Sequence, residues 1–459
     1  MNRAVAGVVL LAFVSSAATM AAGAPVKRAA HPAHAARKAA PHPARPATLP
    51  DTPQVTQLRA AFQYAFPVYE MMRTRAGTVA KAQAFGLSGV NRLFARKTLA
   101  DATTREVTTP NNDTLYASAW LDLKNGPVTL TVPDLPGRYN SAALMNIFTD
   151  NVAVVGTRTG GTGRFTIAGP GFTGRAPEGT TLLRSDTNDA WLLVRVYVAG
   201  PEDIAAAGEA IDGFKLEGGG EAVPATIAPT PTPDAKTFLA VVGEALARSG
   251  VTPRVEGLAP YAELPAETQN LCATAIPIFR NELKAGFAKV GTVADGWSYP
   301  GPGIGNFGDD DAGRAAVAVG GLGALPRQEA VYLSANTDAD GKPLTGASAY
   351  TVHIPPRPPV GAFWSLTMYQ IDKDGRLFFV PNPLDRFAVR SAAKSLHYER
   401  DGGLDIFVQA ARPSGERVVN WLPAPPGPFR LVWRAYLPRV ELLDGTFRLP
   451  PVTASEVVP

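Results

Sequence analysis

Thiol and imidazole chemistry have little to work with in this sequence. Cys272 is the only cysteine in 459 residues, so an intramolecular disulfide is excluded whatever the compartment. Its apolar setting, Asn270-Leu271-Cys272-Ala273-Thr274-Ala275-Ile276, suits a small buried hydrophobe rather than a nucleophile. Of five histidines, His31, His34 and His42 precede residue 50, leaving His353 and His397. That is too few for a three-His zinc centre, and no metal site is expected. The G-x-S-x-G, H-E-x-x-H and C-x-x-C patterns are missing, so the common hydrolase, zincin and redox readings have no local support. No apolar run reaches the ~20 residues needed to span a bilayer, and no integral membrane segment is expected. Acidic residues are missing from residues 1–50, which hold six of the 44 basic side chains; residues 51–459 carry 38 basic against 40 acidic, a net charge of −2. The basic excess belongs to the leader, which removes the electrostatic footprint of a nucleic-acid partner.

The leader itself has an order. Met1-Asn2-Arg3 precedes an apolar run from Ala4 to Val14 and then small residues to Gly23, the pattern of a secretory signal peptide over residues 1–23. Residues 24–50 are almost entirely Ala, Pro, His, Lys and Arg and read as a disordered tether. Beyond it, Gly 44 and Pro 42 point to many turns and short strands. Leu58, Ala61, Phe62, Ala65, Val68, Tyr69 and Met72 repeat at helical spacing, with Pro67 expected to kink the helix or divide it. Short apolar runs from residue 128 to 198 predict antiparallel strands. A helix is expected after Pro201-Glu202-Asp203, and the Pro/Thr stretch 223–236 marks a linker. Helices are expected over 237–248 and 267–290, Pro277 kinking the second. Six strands between residues 330 and 437, separated by turns, suggest a sandwich or jelly roll.

Two motifs fail on inspection. Gly156-Thr157-Arg158-Thr159-Gly160-Gly161-Thr162-Gly163-Arg164 lacks the lysine of a phosphate-binding loop and reads as a glycine hairpin. Asn336-Thr337-Asp338-Ala339-Asp340-Gly341 opens like a calcium loop, but Ala347 stands where the loop needs Glu. What remains is a polar and aromatic cluster. Pro110-Asn111-Asn112-Asp113-Thr114-Leu115-Tyr116 is followed by Trp120, Asp122, Arg138-Tyr139, Asn146, Asp150-Asn151 and Arg158. These groups bind sugars and carboxylates, and they also cap turns and pair with one another. Asp113 therefore reads either as a turn cap or as a functional acid, and Arg138 either as half of an ion pair or as a ligand clamp. With histidine so scarce, acid/base work falls to carboxylates: Asp113 and Asp150 are the candidate catalytic residues. Asn112, Tyr116, Trp120, Arg138, Asn146 and Arg158 are the candidate substrate-binding residues.

The motifs from Pro110 to Tyr116, through Trp120 and Asp122 to Gly137-Arg138-Tyr139, Gly156-Thr157-Arg158 and Gly169-Pro170-Gly171, resemble the family called domain of unknown function twelve fifty-four. The C-terminal half is similar to that family's usual partner, domain of unknown function twelve fourteen. Its matching residues include Asp338 to Gly341, Gly346, Phe363-Trp364-Ser365-Leu366-Thr367-Met368-Tyr369, Arg386, Asn420-Trp421-Leu422-Pro423 and Arg434-Ala435-Tyr436. The resemblance implies an α+β fold, frequent export from bacteria, and no established catalytic residues. The expected organisation is a mixed helix and antiparallel β domain over 51–222, a helical connector over 237–325 and a jelly-roll type β-sandwich over 326–459. The leading functional reading is a periplasmic or secreted hydrolase, without cofactor, acting on a carbohydrate or other small polar molecule in an interdomain cleft. Its rival is a non-enzymatic cell-envelope binding or scaffold protein displaying Trp364, Tyr369, Trp421 and Tyr436; these four also read as core, since Phe363 to Tyr369 has the form of a buried strand, and Trp421, in a loop-like stretch, is best placed for exposure.

Overall fold

The computed structural model describes residues 48–105, 108–287, 291–373 and 375–456; the signal peptide expected over residues 1–23 and the tether expected after it, up to residue 47, lie outside the described residues. The first helical repeat folds as α1, Pro53–Ala84. Thr52 caps it, its side-chain oxygen accepting from the Val55 amide at 3.3 Å, and Pro53 sits where a missing N–H costs nothing. The break expected at Pro67 does not occur. Losing one helical bond there costs about 3 kcal/mol, but Phe62, Phe66, Val68 and Tyr69 around it are all buried and hold the axis. After α2, Ile204–Asp212, come α3, Ala235–Ser249, and α4, Ala266–Phe287, which likewise runs through Pro277. Next is α5, Asp311–Gly320. Helices α1, α3, α4 and α5 share one core with Trp120, Met145 and Trp191. The Pro/Thr segment forms no helix or strand and lies along α1, where Thr230 bonds the Tyr69 hydroxyl through both its carbonyl and its amide.

The N-terminal half holds two sheets. Five antiparallel strands run in the order Phe94–Arg96, Thr114–Asp122, Asp189–Tyr197, Asn140–Asn146, Asn151–Gly156. Four more run Thr180–Arg184, Gly163–Ala168, Val128–Val132, Lys215–Gly218. The glycine-rich stretch after residue 156 is thus not the expected hairpin, because the strands flanking it belong to different sheets. Gly156, at φ 138°, makes the crossing. An added Cβ there would meet the Asn140 carbonyl oxygen at 2.4 Å.

In the C-terminal half the central strands are Ala330–Ala335, Phe429–Pro438 and Val360–Ile371, hydrogen-bonded in that order. Thr292–Ala294 and Trp297–Tyr299, from the stretch expected to be a helical connector, extend this sheet. A second sheet of four strands, including Ala349–Ile354 and Leu404–Gln409, packs against it over a common core. The four aromatics that the scaffold reading would display are packed in the core, the other reading of these residues: Trp364 keeps 4% of its surface, and Tyr369, Trp421 and Tyr436 keep none. Trp421 is held in the short strand Trp421–Pro423, its ring N–H donating to the Gln409 carbonyl at 2.8 Å.

Alternation along the strands decides what faces what. In the C-terminal central sheet, Trp364, Leu366, Met368, Leu431, Trp433 and Ala435 point into the core between its two sheets. Their alternates form a different face: Phe363 stands beside Tyr436 and Ala330, and Ser365 beside Arg434 and Tyr332. This second face is turned toward the five-stranded sheet of the N-terminal half, whose own ladder presents Tyr116 opposite Arg195 and Arg195 opposite Ser141.

Candidate functional site

Where the two polar faces meet, the motif residues of both halves interlock. The Tyr369 hydroxyl donates to the Pro110 carbonyl at 2.6 Å, and the Asn111 side-chain amide donates to the Tyr436 hydroxyl at 2.7 Å. Asp113, with no accessible surface, accepts from the Ser365 hydroxyl at 2.6 Å and from Arg390 Nε at 3.2 Å. Arg390 also donates to the Asn112 carbonyl at 2.7 Å. On the other flank, Glu329, 1% exposed, accepts from Tyr139 at 2.9 Å and from Arg158 at 2.6 Å. Both carboxylates are thus matched by guanidinium groups.

Two arginines between these pairs are not matched. Arg195, 5% exposed, gives one bond, to the Gly323 carbonyl at 3.0 Å, and its Nε and Nη1 have no acceptor. Arg434, 1% exposed, donates to Thr367 at 2.8 Å, to Tyr369 at 2.5 Å and weakly to the Thr109 carbonyl, and its Nε has no acceptor. Among the described residues no carboxylate forms an ion pair with either. Their neighbours are rings. Arg195 lies 5.4 Å from the Tyr116 ring centre, and Arg434 lies 5.2 Å from that of Tyr332. Burial opposes charge on Arg195 and Arg434, and attraction to the surrounding groups, led by Tyr116 for one and by Tyr369 and then the Asp113 carboxylate for the other, more than restores it. Both guanidiniums stay ionised.

The tyrosines between them stay protonated. Burial raises the hydroxyls of Tyr332 and Tyr436, which lie 3.1 Å apart. Tyr332 nonetheless keeps 37% of its surface accessible. Around the accessible Tyr332 ring stand Tyr436 and Tyr116, with two cations unmatched by an ion pair behind them. Such a place attracts an anion. A separate hollow of about 360 Å³, lined by Arg105, Gln370, Asp372, Arg376 and Phe378, shares none of these residues.

The residues singled out in the sequence divide. Asn112, Asp113, Tyr116 and Arg158 come together at this interface. Arg138 lies at its edge, donating twice to Asp203 at 2.7 Å and once to the Tyr197 carbonyl. Trp120 is elsewhere, 1% exposed and stacked on Trp191 at 4.9 Å beneath the helices. Asn146 caps its own turn, accepting from the Phe148 and Asp150 amides at 3.0 Å. Asp150 accepts from the Phe307 amide at 2.6 Å and from Arg314 at 2.8 Å. It lies beyond the far end of the strand Asn140–Asn146 from Asp113, roughly 20 Å away at about 3.3 Å per residue. The two acids cannot flank one scissile bond, which calls for carboxylates within about 10 Å. Arg195, Tyr332, Ser365, Glu329 and Arg434 were not picked out. The signal was present as polar residues at every second position of the apolar strands around Ser365 and Arg434.

Comparison with known proteins agrees with this layout. Residues 90–218 match the family model described as "Protein of unknown function (DUF1254)", and residues 329–440 match "Protein of unknown function (DUF1214)". No curated protein matches the chain. The crystal structure of the VPA0106 protein from Vibrio parahaemolyticus is similar over 88% of this chain and 100% of its own, with 23% identity and a TM-score of 0.65. An uncharacterized protein from Burkholderia cenocepacia aligns over 89% of this chain and 91% of its own, with 12% identity and a TM-score of 0.45. The first likeness extends to the fold of both halves together. The motifs that interlock at the interface fall within the two matched segments, and the chain carries a DUF1254 segment followed by a DUF1214 segment.

Proposed function

We propose that the protein binds a small anionic molecule in a recess beside the accessible Tyr332 ring, between its two β-rich halves. The observation that carries this reading is the pair Arg195 and Arg434: nine-tenths or more buried, holding N–H groups without acceptors, and unmatched by any carboxylate among the described residues. A buried donor left unpaired costs about 1–3 kcal/mol, more when charged, and such a cost is commonly kept where a ligand offsets it. Binding rather than hydrolysis is the reading, because Asp113 and Asp150 are both engaged in ion pairs and the recess tyrosines are held protonated. The C-terminal half is read as a jelly-roll sandwich presenting this face. The leader over residues 1–23 supports a periplasmic or secreted location, which cell fractionation of the full-length protein tests.

Isothermal titration of the purified protein with acetate, benzoate, succinate and phosphate tests the binding. Saturable binding of at least one anion that weakens about tenfold or more in Arg195→Gln supports the recess. Absence of binding by all four to a cooperatively melting protein refutes it.

A further inference from the structure

Resting on that reading of the recess, we infer that its ligand carries two negative charges: a small dianion, of which short dicarboxylates and inorganic phosphate are the two sources. Four guanidiniums and two carboxylates are gathered where the two sheets meet. Arg390 matches Asp113 at 3.2 Å, and Arg158 matches Glu329 at 2.6 Å. Asp113 also acts on Arg434 from further off, but Arg390 and Ser365 already hold its two oxygens. The Arg138–Asp203 pair at the edge is closed on itself. Arg195 and Arg434 are left, one on each sheet, with the tyrosines between them neutral. The excess is two positive charges in a partly dehydrated space, where Coulomb interactions are several-fold stronger than in water.

The placement of the two cations matters as much as their number. Arg195 belongs to the N-terminal sheet and Arg434 to the C-terminal sheet, yet both act on Tyr332 and Tyr436. A monoanion leaves one positive charge of the excess uncompensated. A dianion answers both at once. It also ties the two halves together across their interface, so its binding is expected to raise the melting temperature.

The test compares ligands that differ by one charge and almost nothing else. Malonate is set against malonamate, and succinate against succinamate, by calorimetric titration of the full protein at pH 7, with phosphate as a separate arm. The dianion of at least one pair is expected to bind about tenfold or more tightly than its monoanionic partner. In Arg434→Gln that preference should shrink to within about twofold, and in Arg434→Lys, which keeps the charge, it should persist. Should the buried Gln variant fail to melt cooperatively, Arg195→Gln takes its place. Tyr332→Phe, which removes a hydroxyl and no charge, should weaken both members of a pair by the same factor and leave their ratio unchanged. Preference for phosphate over every dicarboxylate names the inorganic source, and the reverse names the organic one. Saturable binding of mono- and dianions with equal affinity overturns the dianion and leaves the anion site standing. Absence of binding by every anion overturns the site and the dianion together.

Discussion

Neutralising Asp113 separates a structural from a chemical role for this residue. Its carboxylate has no accessible surface, holds the Ser365 hydroxyl at 2.6 Å, and faces Arg390, whose side chain is 14% exposed, at 3.2 Å. Asparagine has almost the same shape and no charge. In Asp113→Asn the serine bond ceases to be charge-assisted, and the guanidinium faces an amide. Removing one partner of a buried ion pair costs about 3–5 kcal/mol. Arg390 keeps the Asn112 carbonyl as an acceptor at 2.7 Å, which places the expected loss near the lower end, about 3 kcal/mol. At about 2–4 °C per kcal/mol for units of this size, the melting temperature should fall by about 6–12 °C. The measurement is thermal unfolding by circular dichroism of Asp113→Asn, Arg390→Met and the double variant. A coupling of about 2 kcal/mol between the two positions is expected. A carboxylate kept for chemistry would give the opposite sign, since neutralising it commonly stabilises a protein at the expense of activity. A melting temperature unchanged or raised in Asp113→Asn would refute the role assigned to the pair.

Three further outcomes follow from the same coordinates. Gly346→Ala places a Cβ 1.8 Å from the Pro425 carbonyl oxygen, so backbone must move, and a loss of about 3 kcal/mol is expected in urea unfolding. Trp120→Ala removes a fully enclosed ring from its stack on Trp191 and should cost about 3–5 kcal/mol, while leaving anion affinity in the recess unchanged by calorimetry. Hydrogen bonds from Arg138 hold Asp203 below the usual carboxylate range. Its stabilising contribution is therefore full above the unfolded value of about 3.9 and is lost as pH falls through the lower, folded value. Arg138→Met should be less stable than wild type at pH 7, and acid titration should bring the two together below about pH 4.

Helices α1 to α4 were legible because their periodicity is local, whereas α5 opens in a Gly- and Asp-rich stretch that reads as loop. Phe62, Ala65, Tyr69 and Met72 lie on one face of α1 whatever packs against it. The strand Leu404–Gln409 was legible as a short apolar run directly after the Asp401-Gly402-Gly403 turn. Proline misled the reading within α1 and α4, since local cost was weighed without the burial on either side. The crossing after Gly156 was misread because sheet membership depends on distant partners that sequence does not display. The site suffered most from this. A serine, an arginine or a tyrosine at every second position of a strand normally marks the solvent side. Ser365, Arg434 and Tyr332 have that spacing, and what covers them is a sheet more than a hundred residues away. Asp113, Asn112, Tyr116 and Arg158 were found by their density of polar groups. Trp120, Asn146 and Asp150 were drawn in by the same density, though each serves a different piece of structure.

That misplacement explains why the motifs of the two halves occur together. Pro110, Asn111 and Asp113 carry the N-terminal motif, and their partners are Tyr369, Tyr436 and Ser365 in the C-terminal motifs. Neither set completes its hydrogen bonds inside its own half. The C-terminal sheet alone would leave the Arg434 face to water, and the N-terminal sheet alone would leave Asp113 without Ser365 and Arg390. Docking removes both from solvent and satisfies the aspartate, but it leaves Arg195 and Arg434 short of acceptors. Replacing such cations by apolar residues is usually neutral or stabilising in a dry interface. An interface built only to hold two domains together gains nothing from two unmatched guanidiniums at its centre. An interface that closes around an anion needs them there.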